Sequence, residues 1–470
     1  MVELKVVDGR AVNPESDRLE FKRCTNSLTR DFWPTYSAFA NTFGGTVFLG
    51  VDDATKEIVG VEDPDKVTKQ LWDVLNDHDK VSVNIVSPKD ITVLDFDGRA
   101  AIRVDVPRAE RRKRPVYINN NMSSGTYKRN GESDYHCSVS ELRQLLRDSS
   151  DSSQDSSVLT EVDVAELDPA SISSFRNMMS SNKPYHPWNG KSDEEFLRLI
   201  GATAKGEDGE QHPTVAGLLM FGLDYSIMSV FPNYHLDYLE FANDGDRWMY
   251  RLTTGSGEFA GNVLTFLGQV SNRLAVVNER GKTIDNMVRV DDTPLMRAER
   301  ELIVNALVHA DYNGPRGVRA EWRPSGFMVR NPGNLRIPLD EMVAGGVSDP
   351  RNPHIALMMG LIGMAERAGS GVSEVVSACR GMSIPDPVYT ESVDPETVTV
   401  RLLMPAVLGR GDMEDMILDI MRADPTVSLD SMSKRLGVER SKMSRMVNVM
   451  KDKGMVERIG GTRGHWNVIV

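Results

Sequence analysis

Cysteine is scarce in this sequence, whose 470 residues include only Cys24, Cys137 and Cys379. An odd number of widely separated cysteines supports neither a disulfide framework nor a zinc site. The cysteine content therefore favours a reducing compartment, and we expect the protein to be cytoplasmic.

Long apolar segments are also missing. No uninterrupted apolar run reaches the roughly 18 residues that a membrane-spanning helix needs. The first residues include Glu3, Asp8 and Glu15 without an apolar core, which argues against a signal peptide. We expect neither a membrane span nor a membrane partner.

Basic residues are outnumbered, because 55 Lys and Arg face 68 Asp and Glu and leave a net charge of −13. This balance excludes a protein whose whole surface is built to bind nucleic acid, so any such binding must be regional. The chain is also too long for one ordinary hydrophobic core, and we expect two to four domains.

Two breaks in the pattern divide the chain. Residues 149–157 consist only of Ser, Asp and Gln and predict a flexible linker. A second break lies at 405–412, where glycines interrupt the apolar pattern. The predicted parts are a first domain at 1–148, the linker at 149–157, a central region at 158–408 and a terminal unit at 409–470.

The first domain mixes two kinds of periodicity. Short β-branched runs bounded by turn residues predict strands, and apolar residues at helical spacing predict helices. The predicted strands are 46–51, 91–96 and 100–106, and the predicted helices are 31–41 and 65–76. The sequence therefore predicts an α+β domain within an α+β multidomain protein.

The terminal unit has the pattern of a winged helix-turn-helix, with three helices followed by a glycine-bearing hairpin. The predicted helices are 413–421, 428–436 and 440–453, and the predicted strands are 456–459 and 465–470.

Cations are concentrated on the last helix of this unit and in its hairpin. Arg440, Lys442 and Arg445 are candidates for contact with DNA in the major groove, and Arg463 is a candidate for phosphate contact from the wing. The alternative is a winged helix that serves dimerisation or domain contact.

The central region contains a helix with two polar groups on one apolar face. Glu301 and Asn305 are four residues apart and therefore share that face. The segments Asn-Pro-Gly at 331–333, Ser-Asp-Pro-Arg-Asn-Pro at 348–353 and Gly-Ser-Gly at 369–371 follow. A carboxylate, an amide and glycine turns in this order predict a pocket for a magnesium nucleotide.

These motifs resemble the GHKL ATPase family, as it occurs in bacterial predicted regulators that also carry a Schlafen AlbA-type domain. The resemblance covers about residues 160–408 and implies an α/β sandwich that binds ATP and Mg. It implies that Glu301 positions the attacking water and that Asn305 coordinates the metal. Whether ATP is hydrolysed by a weak ATPase or only bound stays open.

The later motifs take their expected roles from the same resemblance. Asn331 stands where the family has an adenine-reading Asp, and its carbonyl could accept the same hydrogen bond. The remaining candidate nucleotide-binding residues are Gly333, Arg351, Asn352, Gly369, Ser370 and Gly371. His309, at the end of the helix, is interpreted as structural.

The segments 15–22, 37–53 and 58–61 resemble the Schlafen AlbA-type domain over most of residues 10–148. Schlafens that cleave RNA use three acidic residues, and Glu15, Glu20 and Asp53 fall at the matching positions. The resemblance therefore implies a metal-dependent nuclease centre. The alternative is that these acids are solvated strand-edge and turn residues, since bacterial relatives are usually described as DNA-binding regulators.

The densest basic segment of the chain also lies in this domain. The candidates for phosphate contact are Arg111, Arg112, Lys113, Arg114, Lys128 and Arg129. The alternative is an ordinary solvated loop.

The leading hypothesis is an ATP-responsive, DNA-binding transcriptional regulator that uses ATP and Mg and forms a homo-oligomer. The second is a metal-dependent nuclease that acts on RNA or DNA in defence. The third is a nucleotide-gated assembly scaffold without chemistry.

Overall fold

A computed structural model describes residues 4–7, 9–242, 247–279, 293–365, 369–382, 384–404, 410–436, 438–460 and 464–469. The chain forms two compact units, Met1–Asp151 and Ser152–Val470. Both contain helices and strands, which confirms a multidomain protein of the α+β class. None of the helices in the described part combines the length and apolar composition of a membrane span.

The first unit contains eight short strands and four helices among its described residues. Its strands are β1 (Val6–Val7), β2 (Arg10–Ala11), β3 (Leu19–Lys22), β4 (Gly45–Leu49), β5 (Ile91–Phe96), β6 (Arg99–Val106), β7 (Tyr127–Asn130) and β8 (Ser133–His136). Its helices are α1 (Phe32–Asn41), α2 (Pro64–Leu75), α3 (Met122–Gly125) and α4 (Val139–Ser149).

The main sheet of this unit has the strand order β3-β4-β6-β5, with β3 and β4 parallel and the other pairs antiparallel. The turn from α1 into β4 requires glycine at position 44. Gly44 has φ +72°, and a Cβ atom there would lie 2.7 Å from the backbone nitrogen of Arg108. The core lies between the sheet and the two longer helices that precede β5, with Phe39, Val47 and Leu71 fully buried.

The second unit begins with a mainly helical part and continues into a larger sheet. Its strands are β9 (Thr203–Lys205), β10 (Gln211–Pro213), β11 (Leu236–Phe241), β12 (Trp248–Thr253), β13 (Val318–Arg323), β14 (Gly326–Pro332), β15 (Val388–Val393), β16 (Glu396–Leu403), β17 (Val456–Ile459) and β18 (His465–Val468). Its helices are α5 (Pro169–Asn182), α6 (Asp193–Leu199), α7 (Val215–Phe221), α8 (Asp224–Val230), α9 (Val263–Glu279), α10 (Pro294–His309), α11 (Leu339–Ala344), α12 (Pro353–Leu361), α13 (Gly371–Gly381), α14 (Arg410–Ala423), α15 (Leu429–Arg435) and α16 (Arg440–Asp452).

Six strands of the second unit form a mixed sheet in the order β12-β11-β13-β14-β16-β15, in which only β11 and β13 are parallel. Helix α10 packs against β13 and β14 and between α9 and α13. Ile303 and Leu307 of this helix share one core with Phe327 and Val329 of β14. The result is a helical layer on a sheet, which places the motif-bearing helix against the strand that ends in Asn-Pro-Gly.

The last three helices and the β17–β18 hairpin follow the predicted order of the terminal unit. They have their own core, in which Met443, Val447 and Met450 of α16 are buried beside Trp466. The predicted boundary at 408/409 lies outside the described residues. Leu403, the last residue of β16, belongs to this core and therefore joins it to the large sheet.

The Ser-rich segment at 149–157 differs from the flexible linker that its composition predicts. Helix α4 continues to Ser149, and Gln154–Ser156 form a 3₁₀ turn. Asp155 is completely buried, and its carboxylate accepts hydrogen bonds from the backbone N–H groups of His354 and Ile355. The segment is held because α12 begins with free N–H groups that a carboxylate satisfies.

Candidate functional site

A pocket opens in the second unit between α10, the start of α13 and the strands β14, β15 and β16. It contains about 790 Å³ of space between atoms, part of it open to solvent. Much of its wall is apolar, including Leu302, Ala306, Ile337, Val372, Val398 and Val400. A largely apolar pocket with a few polar groups is typical of a small-molecule site.

The predicted pair on α10 meets the later glycine motif at this pocket. Asn305 donates a hydrogen bond from Nδ2 to Glu301 Oε1 at 3.1 Å. A Cβ atom on Gly371 would lie 1.9 Å from Glu301 Oε1 and 3.3 Å from Asn305 Nδ2. Asn305 and Gly371 line the pocket, and Glu301 contacts both without being part of the lining. The fold thus joins the two motifs as the sequence order implies.

The glycine motif also sets the start of α13. Gly369 has φ +72°, and a Cβ atom there would lie 2.3 Å from the carbonyl oxygen of Val347. The carbonyl of Ser370 accepts the backbone N–H of Glu374, and the helix proper begins at Gly371. Because the N-terminal end of a helix favours anions, the motif places such an end at the pocket wall.

Arg351 and Asn352 lie at the C-terminal end of α10 and do not line the pocket. Arg351 is 1% exposed, and its Nη1 donates to the carbonyl of His309 at 2.6 Å. Asn352 Nδ2 donates to the carbonyls of Val308 and Ala310 at 3.0 and 2.8 Å. Both side chains therefore satisfy the carbonyl groups that the end of a helix leaves unpaired, which is a structural role rather than phosphate contact.

Gly333 has a related structural role. It has φ +98°, and a Cβ atom on it would lie 2.4 Å from Nη1 of Arg351. The Asn-Pro-Gly turn therefore packs on the guanidinium group that caps α10, and only glycine permits this approach.

Two asparagines in the pocket wall have fixed amide orientations. Asn331 Nδ2 donates to the carbonyl of Pro332 at 3.1 Å, and Asn334 Nδ2 donates to Glu396 Oε2 at 3.1 Å. A carbonyl and an ionised carboxylate accept but cannot donate, so each amide must turn its nitrogen towards them. The carbonyl oxygen of each asparagine is consequently the end left for another donor, and Asn334 Oδ1 is buried without one.

Asn334 and Tyr389 were not predicted as site residues. The Tyr389 hydroxyl is buried without a hydrogen-bond partner, and burial raises its pKa well above the ordinary value. Asn334 is one residue beyond the Asn-Pro-Gly motif, and its position next to the motif was a usable signal. Tyr389 lies on β15 at the edge of the sheet, far along the chain, and no sequence pattern marks it.

His309 also lines the pocket, although the sequence suggested only a structural role. Burial is the main cause that lowers its pKa to about 4, and the positive charges of Arg351 and Arg336 act in the same direction. Asp349, which lies 3.6 Å from Arg336 Nη1, opposes this shift only in part. His309 therefore presents a neutral imidazole to the pocket near neutral pH.

In the first unit, two of the three acids of the implied nuclease centre are held by cations. Glu20 binds Arg129 Nη2 at 2.6 Å and Lys22 Nζ at 2.7 Å. Glu15 binds Lys56 Nζ at 2.8 Å. Asp53 is exposed.

No group of three or more His, Cys, Asp or Glu side chains is arranged to hold a metal ion in the described part of the chain. Glu15 and Glu20 are engaged in ion pairs with neighbouring cations.

Three of the six basic candidates in this unit are buried, so they are not open to phosphate. The exposed fractions of Arg114, Lys128 and Arg129 are 4%, 1% and 0%. Arg129 binds Glu20 and Asp134 and lies 5.0 Å from the ring centroid of Phe39. The basic run predicts surface charge, whereas Lys128 pairs with Glu141 and Arg129 with Glu20 and Asp134 inside the fold.

The other three basic candidates lie at the surface or beside α4. Arg111 donates to the carbonyls of Asp148 and Ser150, and thus caps the end of α4. Arg112 pairs with Asp151 at 2.9 Å, and Lys113 pairs with Glu110 at 3.0 Å. These exposed pairs are weak and leave both cations accessible.

On α16, Arg440, Lys442 and Arg445 are all exposed, and Met443 and Val447 face the core. The helix therefore has one apolar face and one cationic face. Arg463, the predicted wing residue, lies outside the described residues.

Comparisons with known proteins match separate parts of the chain. Residues 15–138 match the family described as "Schlafen, AlbA_2", and residues 327–402 match the family described as "Putative ATP-dependent DNA helicase recG C-terminal". Residues 143–237 match a domain family of unknown function.

Two solved structures are similar over different lengths. The DIP2311 protein from Corynebacterium diphtheriae is 18% identical, with coverage of 98% of this chain and 81% of that chain and a TM-score of 0.41. The N-terminal domain of a RecG-related protein from Nitrosomonas europaea is 28% identical, with coverage of 27% and 86% and a TM-score of 0.20. The family matches are the informative result: the chain carries a Schlafen AlbA_2 domain towards its N-terminus and a recG-like HATPase_c_4 domain towards its C-terminus.

Proposed function

We propose that this protein is a DNA-binding regulator whose DNA affinity responds to a magnesium–adenine nucleotide bound in the pocket beside α10. The observation that carries the proposal is the meeting of Glu301, Asn305 and Gly371. A carboxylate, an amide and the start of a helix in contact form a set of groups suited to a metal-bound phosphate chain.

The pocket wall carries groups suited to both parts of a nucleotide. Its apolar wall, including Leu302 and Val398, suits the faces of a purine ring. The oxygens of Asn305 and Glu301 are hard ligands of the type that Mg²⁺ prefers, and the first N–H groups of α13 favour phosphate. A bound Mg²⁺ would supply neutralisation of the phosphate charge.

The base end of the pocket favours a ligand that donates hydrogen bonds. Asn331 and Asn334 each donate one amide N–H to a protein acceptor, so their carbonyl oxygens are oriented to accept from a ligand. An exocyclic amino group, as in adenine, matches such acceptors. In the GHKL resemblance an Asp reads adenine at this position. Asn331 replaces that Asp with a neutral group that also accepts a hydrogen bond.

The three C-terminal helices and the β17–β18 hairpin support the second half of the proposal, a winged helix-turn-helix. The exposed face of α16 carries Arg440, Lys442 and Arg445 in a chain whose net charge is −13. A cationic helix on a small helical unit can enter the major groove while the hairpin contacts phosphate. The family names Schlafen AlbA_2 and ATP-dependent DNA helicase agree with a nucleic-acid partner.

Strand β16 offers a direct route between the two sites. Val398 and Val400 line the pocket, and Leu403 packs in the C-terminal core. Between them, Arg401 forms an ion pair with Asp419 of α14. A ligand that shifts β16 would therefore also shift α14, the first C-terminal helix. A nucleotide can change DNA affinity only if its contacts differ between two such arrangements.

Titration calorimetry with ATP, ADP and GTP in the presence of Mg²⁺ tests the pocket. Wild type should bind ATP and ADP, and Asn305→Ala should lose about ten-fold or more in affinity through the lost ligand. Asn177→Ala, which removes an exposed amide from α5, is the matched control and should bind like wild type. Absence of binding by wild type, or equal binding by both variants, would refute the pocket.

A further inference from the structure

A second cationic surface lies on the face of the six-stranded sheet opposite the pocket. Arg319 of β13 is directly across from Arg330 of β14, and Thr399 of β16 is the next partner in the same row. Strand residues alternate between faces, so this row is opposite the one that contains Val329 and Asn331. Arg316, just before β13, is exposed. We call Arg316, Arg319 and Arg330 the arginine cluster.

Carboxylates neutralise this cluster only in part. Glu321 is shared, because Arg319 Nε binds it at 2.7 Å and Arg323 Nη2 binds it at 3.2 Å. Arg330 has no ion pair with another residue in the described part of the chain, and its Nε is buried without a hydrogen-bond partner.

The arrangement is unfavourable for the sheet by itself, since like charges on directly opposed residues of neighbouring strands are destabilising. The pKa of Arg330 lies below its ordinary value, first because of burial and then because of the charge on Arg319, with Arg316 adding to the effect. The charge of Glu321 offsets part of this effect, and an anionic partner would offset the repulsion that remains.

We propose that the arginine cluster binds the phosphodiester backbone of a nucleic acid. Guanidinium groups match phosphate oxygens in a planar, two-point geometry, and the Thr399 hydroxyl adds a neutral donor in the same row. Phosphate contacts of this kind are independent of base sequence. The surface is separate from α16 and does not depend on the nucleotide pocket, so it would hold nucleic acid in addition to the C-terminal helices.

Fluorescence anisotropy of the full-length chain tests this surface, with a labelled random-sequence single strand and its duplex in the absence of nucleotide. Titrations between about 50 and 200 mM KCl give the dependence of log K on log salt. Loss of two phosphate contacts in R319Q/R330Q should lower the slope by about 1.4 for the single strand or about 1.8 for the duplex, and affinity by about ten-fold. The control R198Q/R380Q removes two exposed arginines from α6 and α13 and should match wild type.

Two further measurements separate this proposal from others. R440Q/K442Q/R445Q should lower DNA affinity through α16 and leave the contribution of the arginine cluster in place. Binding by R319Q/R330Q equal to that of its control overturns the proposal, whatever the α16 variant does. Inorganic phosphate should also raise the melting midpoint of wild type. If R319Q/R330Q loses this rise but binds DNA as wild type does, the proposal is overturned, because the cluster would then bind small anions alone.

Folding is checked by thermal melting. Removal of both opposed positive charges in R319Q/R330Q should leave the melting midpoint unchanged or raise it. If that variant melts early, Arg330→Lys keeps the charge and should keep the salt slope of wild type. A lowered slope in Arg330→Lys at an unchanged melting midpoint would contradict a charge-based contact.

Discussion

The substitution Gly371→Ala tests whether the contact between α13 and the Glu301–Asn305 pair organises the pocket. A Cβ atom at this position would lie 1.9 Å from Glu301 Oε1, where ordinary contacts are 3.4–4 Å, so the carboxyl must retreat by about 1.5 Å. The backbone at Gly371 does not have a positive φ, so alanine introduces no backbone strain. Alanine also favours the helix by about 0.5–1 kcal/mol.

The expected result is a loss of function without a loss of fold. Displacement of a group that supports a metal ligand typically costs about 10- to 100-fold in affinity, and we expect that loss for Mg-ATP in calorimetry. The melting midpoint should stay within about 3 °C of wild type. Gly381→Ala, at the other end of α13, is the matched control because a Cβ atom there meets nothing within 4 Å. Equal nucleotide affinity of the two variants would refute the argument.

Three other predictions concern stability. Burial raises the pKa of Glu299 from 4.5 to about 8 in the folded protein. The folded state then holds the proton more tightly, so the free energy of unfolding should fall by up to about 1.4 kcal/mol per pH unit between these values and level off above them. Urea unfolding at pH 5 and 8.5 should show a smaller fall for Glu299→Gln, and an equal fall would contradict the assignment. Asp155→Ala should destabilise the second unit by about 1–3 kcal/mol, because two N–H groups of α12 lose their buried acceptor; a change near zero in urea unfolding would show that the segment is not anchored. Arg129→Ala should cost the first unit about 3 kcal/mol, because Asp134 would lose its ion-pair partner and buried Glu20 would keep only Lys22, and an unchanged unfolding midpoint would argue for a surface role.

Local patterns identified much of the architecture, since periodicity and turn residues depend on near neighbours. The helix with Glu301 and Asn305 and the order of the last three helices follow from such patterns. The strand β14 also ends at the Asn-Pro-Gly motif, as the pocket requires.

Local sequence patterns could not predict which charged side chains are buried or which residues they pair with. Lys128 and Arg129 are adjacent basic residues, which the sequence alone suggests as part of a basic patch. In the fold both side chains are buried, and they pair with Glu141 and Glu20 from other segments of the chain. Asp155 lies in a segment with the composition of a linker. Its structural role is to accept hydrogen bonds at the start of α12. Pairing over long sequence distances sets these features, and composition does not record it.

The proposed regulation depends most directly on coupling between the pocket and DNA binding. The decisive measurement is the DNA dissociation constant by anisotropy with and without saturating Mg-ATP, for wild type and for Asn305→Ala. Wild type should change its DNA affinity by about 5- to 150-fold on nucleotide binding, and the variant should show the same affinity in both conditions. DNA binding by wild type that ignores Mg-ATP, in a protein that binds the nucleotide, would contradict the proposed regulation.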